Sequence, residues 1–234
     1  LSIALLHSID IKNVSISGDT RFDRVSNQLK HDNSLAFIKH FKEDSLCIVC
    51  GSTWPEDEAV LLDYINTASK NVKFIIAPHN IDTTKIEAFR KNIDKKVILF
   101  SEIENKNLSE YSVLIVNTIG LLTKIYSYAD IAYIGGAIGK TGLHNILEPA
   151  TFGVPIVAGQ YLQKFPEAQK LQEKEGLFSV SNSISCSQIL SKLIEDKDFR
   201  IKTGAIAEHY INNNTGATKK VVSYIEKLNE KGII

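Results

Sequence analysis

The sequence has 234 residues, 44% of them apolar and 23% charged, with 27 lysines and arginines against 27 aspartates and glutamates. This is the composition of an ordinary globular chain, and it excludes disordered, collagen-like and membrane-spanning classes. A formal net charge of zero gives no broad positive field for nucleic acid or an anionic membrane surface, so an anionic ligand has to be held locally by backbone N–H groups and a few placed cations.

The chain opens at Leu1 and contains no methionine, which reads as a fragment or processed piece. No apolar run approaches the ~20 residues of a membrane span, and no signal-peptide pattern stands at the front. Residues 14–17 read as an isolated strand. They are followed by Ser17-Gly18-Asp19-Thr20-Arg21-Phe22-Asp23-Arg24 and the polar stretch 26–33, which together suggest the tail of a preceding domain and a linker.

From there, short β-branched runs alternate with longer amphipathic stretches. The strand candidates are 46–50, 73–77, 97–100, 113–116, 131–134, 154–158 and, more weakly, 177–180. The helix candidates between them are 55–68, 83–91, 121–128, 146–152 and 168–175. Continuous apolar runs fit strands covered on both faces. Strand–helix alternation at this spacing predicts an α/β fold with a doubly wound parallel sheet. Residues 187–195, 199–210 and 219–231 make a helical C-terminus, broken by Asn212-Asn213-Asn214-Thr215-Gly216. The expected division is therefore 1–33 and 34–234.

The three cysteines, Cys47, Cys50 and Cys186, are too few and too odd in number for a disulfide framework and fit a reducing compartment. Cys47 and Cys50 match C-x-x-C but lie in one strand, where positions i and i+3 face opposite ways. They are expected to be buried structural residues. Nothing has the spacing of a metal site.

Three stretches carry chemistry. In Gly51-Ser52-Thr53-Trp54-Pro55-Glu56-Asp57-Glu58 a buried strand ends at a glycine that lets backbone approach a ligand. Ser52 or Thr53 can then cap the following helix or donate to a phosphate. The acids are standard first-turn charge. In Ile76-Ala77-Pro78-His79-Asn80, His79 emerges at the carboxyl edge of a strand, where doubly wound sheets bind ligands. The third stretch runs from Gly135 to Ala150, with Gly135, Gly136, Gly139 and Gly142 in eight residues. Gly139-Lys140-Thr141 is not a phosphate loop of the G-x-x-x-x-G-K type, because Ile134 stands where the first glycine must be. Asn145 and Glu148, three apart, share a face of a helix expected to begin near His144. Glu148 could there accept both hydroxyls of a ribose, with the helix N-terminus behind it holding a phosphate.

These pieces resemble the Kdo transferases of lipopolysaccharide synthesis, a two-domain GT-B family. Residues Ser17 to Arg24 look like its interdomain segment and Gly51-Ser52-Thr53 like its first glycine loop. Pro78-His79 is similar to its Pro-Arg-His element, and Val116-Asn117-Thr118-Ile119-Gly120-Leu121-Leu122 to its Asp-Thr-x-Gly-x-Leu stretch. The run from Gly135 through Gly142-Leu143-His144-Asn145-Ile146-Leu147-Glu148-Pro149-Ala150 is the most specific match. The sequence departs by lacking the arginine before His79, by Asn117 in place of aspartate, and by Leu143 in place of glycine. Lys140 is the candidate substitute for the missing cation.

The resemblance implies that residues 34–234 are the nucleotide-sugar-binding domain of an inverting transferase. That enzyme moves Kdo from CMP-Kdo to a lipid A precursor at the cytoplasmic face of the bacterial inner membrane. The family's preceding domain carries the membrane anchor, the acceptor site and the catalytic base, so no catalytic residue is assigned in this chain. The piece itself is expected to be soluble and inactive alone. The implied donor-binding residues are Gly51, Ser52, Thr53, Pro78, His79, Gly136, Ile138, Gly139, Lys140, Gly142, His144, Asn145 and Glu148, with no metal, no cofactor and no nucleic-acid partner. A UDP-sugar transferase or sugar-nucleotide epimerase, and a non-catalytic nucleotide-binding module, are the alternatives.

Overall fold

The computed structural model describes residues 2–232. In chain order its elements are α1 (Ser2–Ser8), α2 (Thr20–Asn27), α3 (Ala36–Lys42), β1 (Leu46–Thr53), α4 (Pro55–Thr67), β2 (Val72–Pro78), α5 (Thr83–Lys91), β3 (Val97–Leu99), β4 (Val113–Ile115), α6 (Leu122–Ile125), β5 (Ile131–Ile134), α7 (Leu147–Ala150), β6 (Ile156–Gly159), α8 (Pro166–Glu173), β7 (Leu177–Val180), α9 (Ser183–Glu195), α10 (Lys197–Asn212) and α11 (Ala217–Glu230). The seven strands form one parallel sheet in the order β3-β4-β2-β1-β5-β6-β7.

The apolar runs are strands because both faces of the sheet are covered. Along β1, Cys47 and Val49 enter the cluster that holds Ile38, Phe41 and Ile156. Ile48 and Cys50 enter the opposite cluster with Leu61, Ile65 and Leu190. The two thiols therefore face opposite sides of the sheet, and all three cysteines are free and buried. Local signals set the helix starts. Asp82 accepts from Thr84 and Lys85 N–H at α5, Asn182 from Ser185 N–H at α9, and Asp196 from Phe199 N–H at α10.

The front of the chain differs from its sequence reading. Residues 14–17 form no strand, and Ile16 is 73% exposed. A short apolar alternation becomes a strand only where a neighbour takes its N–H and C=O groups, and none of the seven paired strands takes those of residues 14–17. Residues 20–27, read as part of a linker, form α2. Its Phe22 and Val25 are buried, with Phe22 edge-on to Tyr210 of α10 at 5.6 Å. Among the described residues no helix is long and apolar enough to cross a membrane.

Asp23 of α2 accepts from the backbone N–H groups of Gly216 and Thr218, so one carboxylate starts α11 from across the fold. Those bonds hold its pKa below the ordinary value of 3.8. A depressed carboxyl pKa stabilises the fold above about pH 4, and that contribution disappears as pH falls through the folded-state value. Asp23→Ala is expected to lose about 1 kcal/mol at pH 7, the usual worth of a helix cap. In urea unfolding, its gap to the parent chain should shrink by pH 3.

Candidate functional site

The strand order reverses at β1, with β2, β4 and β3 to one side and β5, β6 and β7 to the other. Crevices at such reversals, at the carboxyl ends of the strands, are where doubly wound sheets bind ligands. Gly51 of β1 lies beside Ile134 of β5, and Gly135 N–H donates to Gly51 C=O at 3.0 Å. A β-carbon on Gly135 would stand 2.2 Å from the Ser52 carbonyl oxygen, so the two loops leaving the strands approach as closely as backbone can. Ser52 itself has φ 54, a left-handed conformation that costs a serine energy. It sits where the β1–β2 register shifts between Gly51 and Thr53.

Asp57 joins the two loops. Its carboxylate is fully buried and accepts from Trp54 N–H at 2.9 Å, Gly136 N–H at 2.8 Å and the Tyr133 hydroxyl at 2.9 Å. Burial nevertheless pushes its pKa above the ordinary carboxylate value, against the pull of those three bonds. The helix cap expected of Ser52 or Thr53 is instead Trp54, the residue preceding α4, with Asp57 reaching back to it. Thr53 donates its hydroxyl to Glu58 at 3.0 Å. The room beside Gly51 goes to the Tyr126 hydroxyl rather than to a ligand, since a β-carbon there would lie 1.9 Å from it.

The glycine loop closes on itself. Gly136 has φ 96 and accepts from Gly142 N–H at 3.0 Å and from the Thr141 hydroxyl at 3.2 Å. His144 N–H donates to Gly135 C=O at 3.2 Å. Gly136, Gly142 and His144 N–H groups are thus committed within the protein. Those of Ile138, Gly139, Lys140 and Thr141 donate to no other described group, whereas Ala137 is fully buried. A run of free backbone donors in a tight loop is an anion cradle. Gly139 lies close to the Glu56 side chain, and Lys140 is exposed without an ion pair among the described residues. Leu143 buries its side chain while Gly142, with φ 96, takes the positive-φ position beside it.

The helix expected from His144 is a single turn, Leu147–Ala150. Asn145 holds its start by accepting Leu147 N–H at 3.0 Å, and Pro149 fits only a first turn, where its missing N–H is not needed. Four residues carry little macrodipole, so this turn offers an anion far less than the full helix expected there.

Three rings gather at the mouth. Trp54 stacks on His79 with centroids 4.6 Å apart, and His79 lies 4.4 Å from His144. The Trp54 indole N–H donates to His144 Nε2 at 3.1 Å. Burial, with a smaller contribution from His79, lowers the His144 pKa below 6.5. His79 is placed by its own backbone, whose N–H donates to Thr53 C=O at 2.9 Å, next to Pro78 at the end of β2.

Glu148 accepts from Asn145 Nδ2 at 3.0 Å and from the Thr123 hydroxyl at 2.9 Å, with the Arg24 guanidinium 3.9 Å away. Arg24, Thr123, Glu148 and Thr151 line a cleft of about 220 Å³. The Thr151 hydroxyl there is buried with no partner among the described residues.

The structure therefore gathers Gly51, Ser52, Thr53, Pro78, His79, Gly136, Gly139, Gly142 and His144 at one crevice, with Ile138 and Lys140 on the same loop. Asn145 and Glu148 form a second group facing α6 and α2. Trp54 and Asp57 were missed as site residues. The signal for Trp54 was present: the one tryptophan of the sequence follows the strand-ending Gly-Ser-Thr. Arg24 and Thr123 carried no local signal toward Glu148.

No family model matches the chain. It is 25% identical over 230 residues to the 3-deoxy-D-manno-octulosonic acid transferase of Haemophilus influenzae, covering 94% of this chain and 53% of that protein. It is 30% identical over 153 residues to the enzyme of the same name from Aquifex aeolicus, covering 63% of this chain and 41% of the relative. The chain thus spans about half the length, or less, of these relatives. Among solved structures, the C-terminal CMP-Kdo binding domain of WaaA from Acinetobacter baumannii superposes with a TM-score of 0.65 at 18% identity, over 82% of this chain and 99% of that one. UDP-GlcNAc 2-epimerase from Neisseria meningitidis gives 0.63 at 17% identity, over 95% and 57%. Both likenesses are of fold. In sequence the chain is similar to part of the 3-deoxy-D-manno-octulosonic acid transferases, and in fold to the C-terminal CMP-Kdo binding domain of WaaA.

Proposed function

We propose that this chain is the donor-binding half of an inverting glycosyltransferase, and that its donor is CMP-Kdo. The observation that carries the reading is the meeting of free amides at 138–141 with the His79–His144 pair at the reversal of the sheet. The CMP phosphate sits on the amides and imidazoles, with Lys140 as the nearby cation. The ribose lies against Glu148. In the reaction an acceptor hydroxyl oxygen bonds to the anomeric carbon of Kdo as that carbon's bond to the phosphate oxygen breaks. The electron pair leaves with CMP, and the hydroxyl proton passes to a base outside this chain. Preorganised donors aimed at the growing phosphate charge lower that barrier.

The acceptor, a lipid A precursor, and attachment to the cytoplasmic face of the bacterial inner membrane belong to the longer protein. Residues 1–33 are the connection from its acceptor-side half, anchored here by α2.

Glu148→Ala tests the ribose assignment. CMP affinity, followed by the fluorescence of the single tryptophan, is expected to fall about tenfold, the worth of a hydrogen bond to a charged group. The melting temperature should stay within a few degrees. Unchanged affinity with an intact melt would remove Glu148 from the site.

A further inference from the structure

Trp54 touches both histidines of the crevice and is itself fixed twice. Its N–H donates to Asp57, and it immediately precedes α4. An indole N–H can only donate. His144 Nε2, 3.1 Å from it, must therefore be the unprotonated, accepting nitrogen. The neutral ring then carries its proton on Nδ1, which bonds to no other described group and is free to donate to an anion. An imidazolium at 144 would set two N–H groups against each other, so the contact favours the neutral ring, in the same sense as burial. The face of the indole lies 4.6 Å from His79 at an interplanar angle of 23°, which keeps that ring alongside His144.

We infer that Trp54 is a positioning residue of the donor site, fixing His144 as the Nδ1–H tautomer and holding His79 beside it so that the two imidazoles offer one defined donor set to the phosphate of a nucleoside monophosphate. This rests on the donor-binding reading above. Trp54 need not touch the phosphate to act. Its effect passes through the tautomer, which distinguishes it from a residue that only fills space.

Ring-nitrogen NMR shifts of His144 test the inference in the free protein, without any substitution. An accepting Nε2 and a protonated Nδ1 are expected. Trp54→Phe keeps a stacking ring but removes the N–H. It should return His144 toward the Nε2–H form and weaken CMP binding about fivefold, the worth of one neutral hydrogen bond. A protonated Nε2 in the parent chain, or an unchanged tautomer in the variant, would overturn the inference. So would a shifted tautomer with unchanged CMP affinity. If the parent chain binds no CMP, the donor reading fails and takes the named ligand with it. The His144 shifts then still report whether the tautomer itself was correctly assigned.

Discussion

Asp57→Ala is expected to lower stability by about 3 kcal/mol and to abolish CMP binding. The carboxylate holds three donors that no other group satisfies: Trp54 N–H, Gly136 N–H and the Tyr133 hydroxyl. Each buried donor left unpaired costs roughly 1–3 kcal/mol, and part of the sum is returned because a buried carboxylate is itself unfavourable. Binding fails because the start of the glycine loop and the tryptophan that fixes His144 hang on the same carboxylate oxygen, Oδ2. Asp57→Asn separates the effects, since it keeps the volume and one accepting oxygen. Its pH dependence has a definite sign. Burial raises the folded-state pKa of Asp57 above 3.8, so the folded protein takes up a proton sooner than the unfolded chain. The parent chain therefore gains stability relative to Asp57→Asn as pH falls from 7 toward the folded pKa. This is opposite in sense to the acid loss expected from Asp23. Urea unfolding of the two proteins at pH 7 and pH 5 reads the difference; a parent chain that loses stability relative to Asp57→Asn on acidification would contradict it.

Gly136→Ala is expected to weaken CMP binding by more than tenfold and to lower the melting temperature by several degrees. Gly136 has φ 96, which costs an alanine about 1–2 kcal/mol, and its β-carbon would stand 2.0 Å from the Gly142 carbonyl oxygen and 3.1 Å from His144 Cδ2. The loop can relieve the clash only by opening, which breaks the Gly142-to-Gly136 hydrogen bond and displaces His144. Gly216→Ala is the matched control. It carries the same strain at φ 104, but nothing lies within 4 Å of its β-carbon, and it sits before α11, away from the loop. It should lose stability and keep CMP affinity. Equal loss of binding in both variants would mean that the glycine loop has no special part in the site.

What the sequence made legible follows from the range of the forces involved. Residues 131–134, 177–180 and 83–91 became β5, β7 and α5 with those bounds, because apolar runs, an Asp82 cap and a closing Asn92 all act within a few residues. The carboxyl-edge position of Gly51, His79 and Gly136 was legible for the same reason: each lies at or just past the end of an apolar run. Residues 14–17 misled because alternation at Val14 and Ile16 states a preference that only a neighbouring strand can realise. The helix from His144 shrank to one turn because Asn145 and Pro149 fix where the first turn can start. Asp57 passed for first-turn charge because its partner Gly136 is 79 residues away. The free amides of 138–141 left no trace, since an unused N–H has no side-chain signature.

The most direct test of the account is calorimetric titration of the chain with CMP, with UMP and UDP as controls under the same conditions. The account predicts saturable binding of CMP, in the high micromolar range, and at least tenfold weaker binding of both uridine nucleotides. A preference for UMP or UDP, or silence toward all three from a chain that still melts cooperatively, would contradict it.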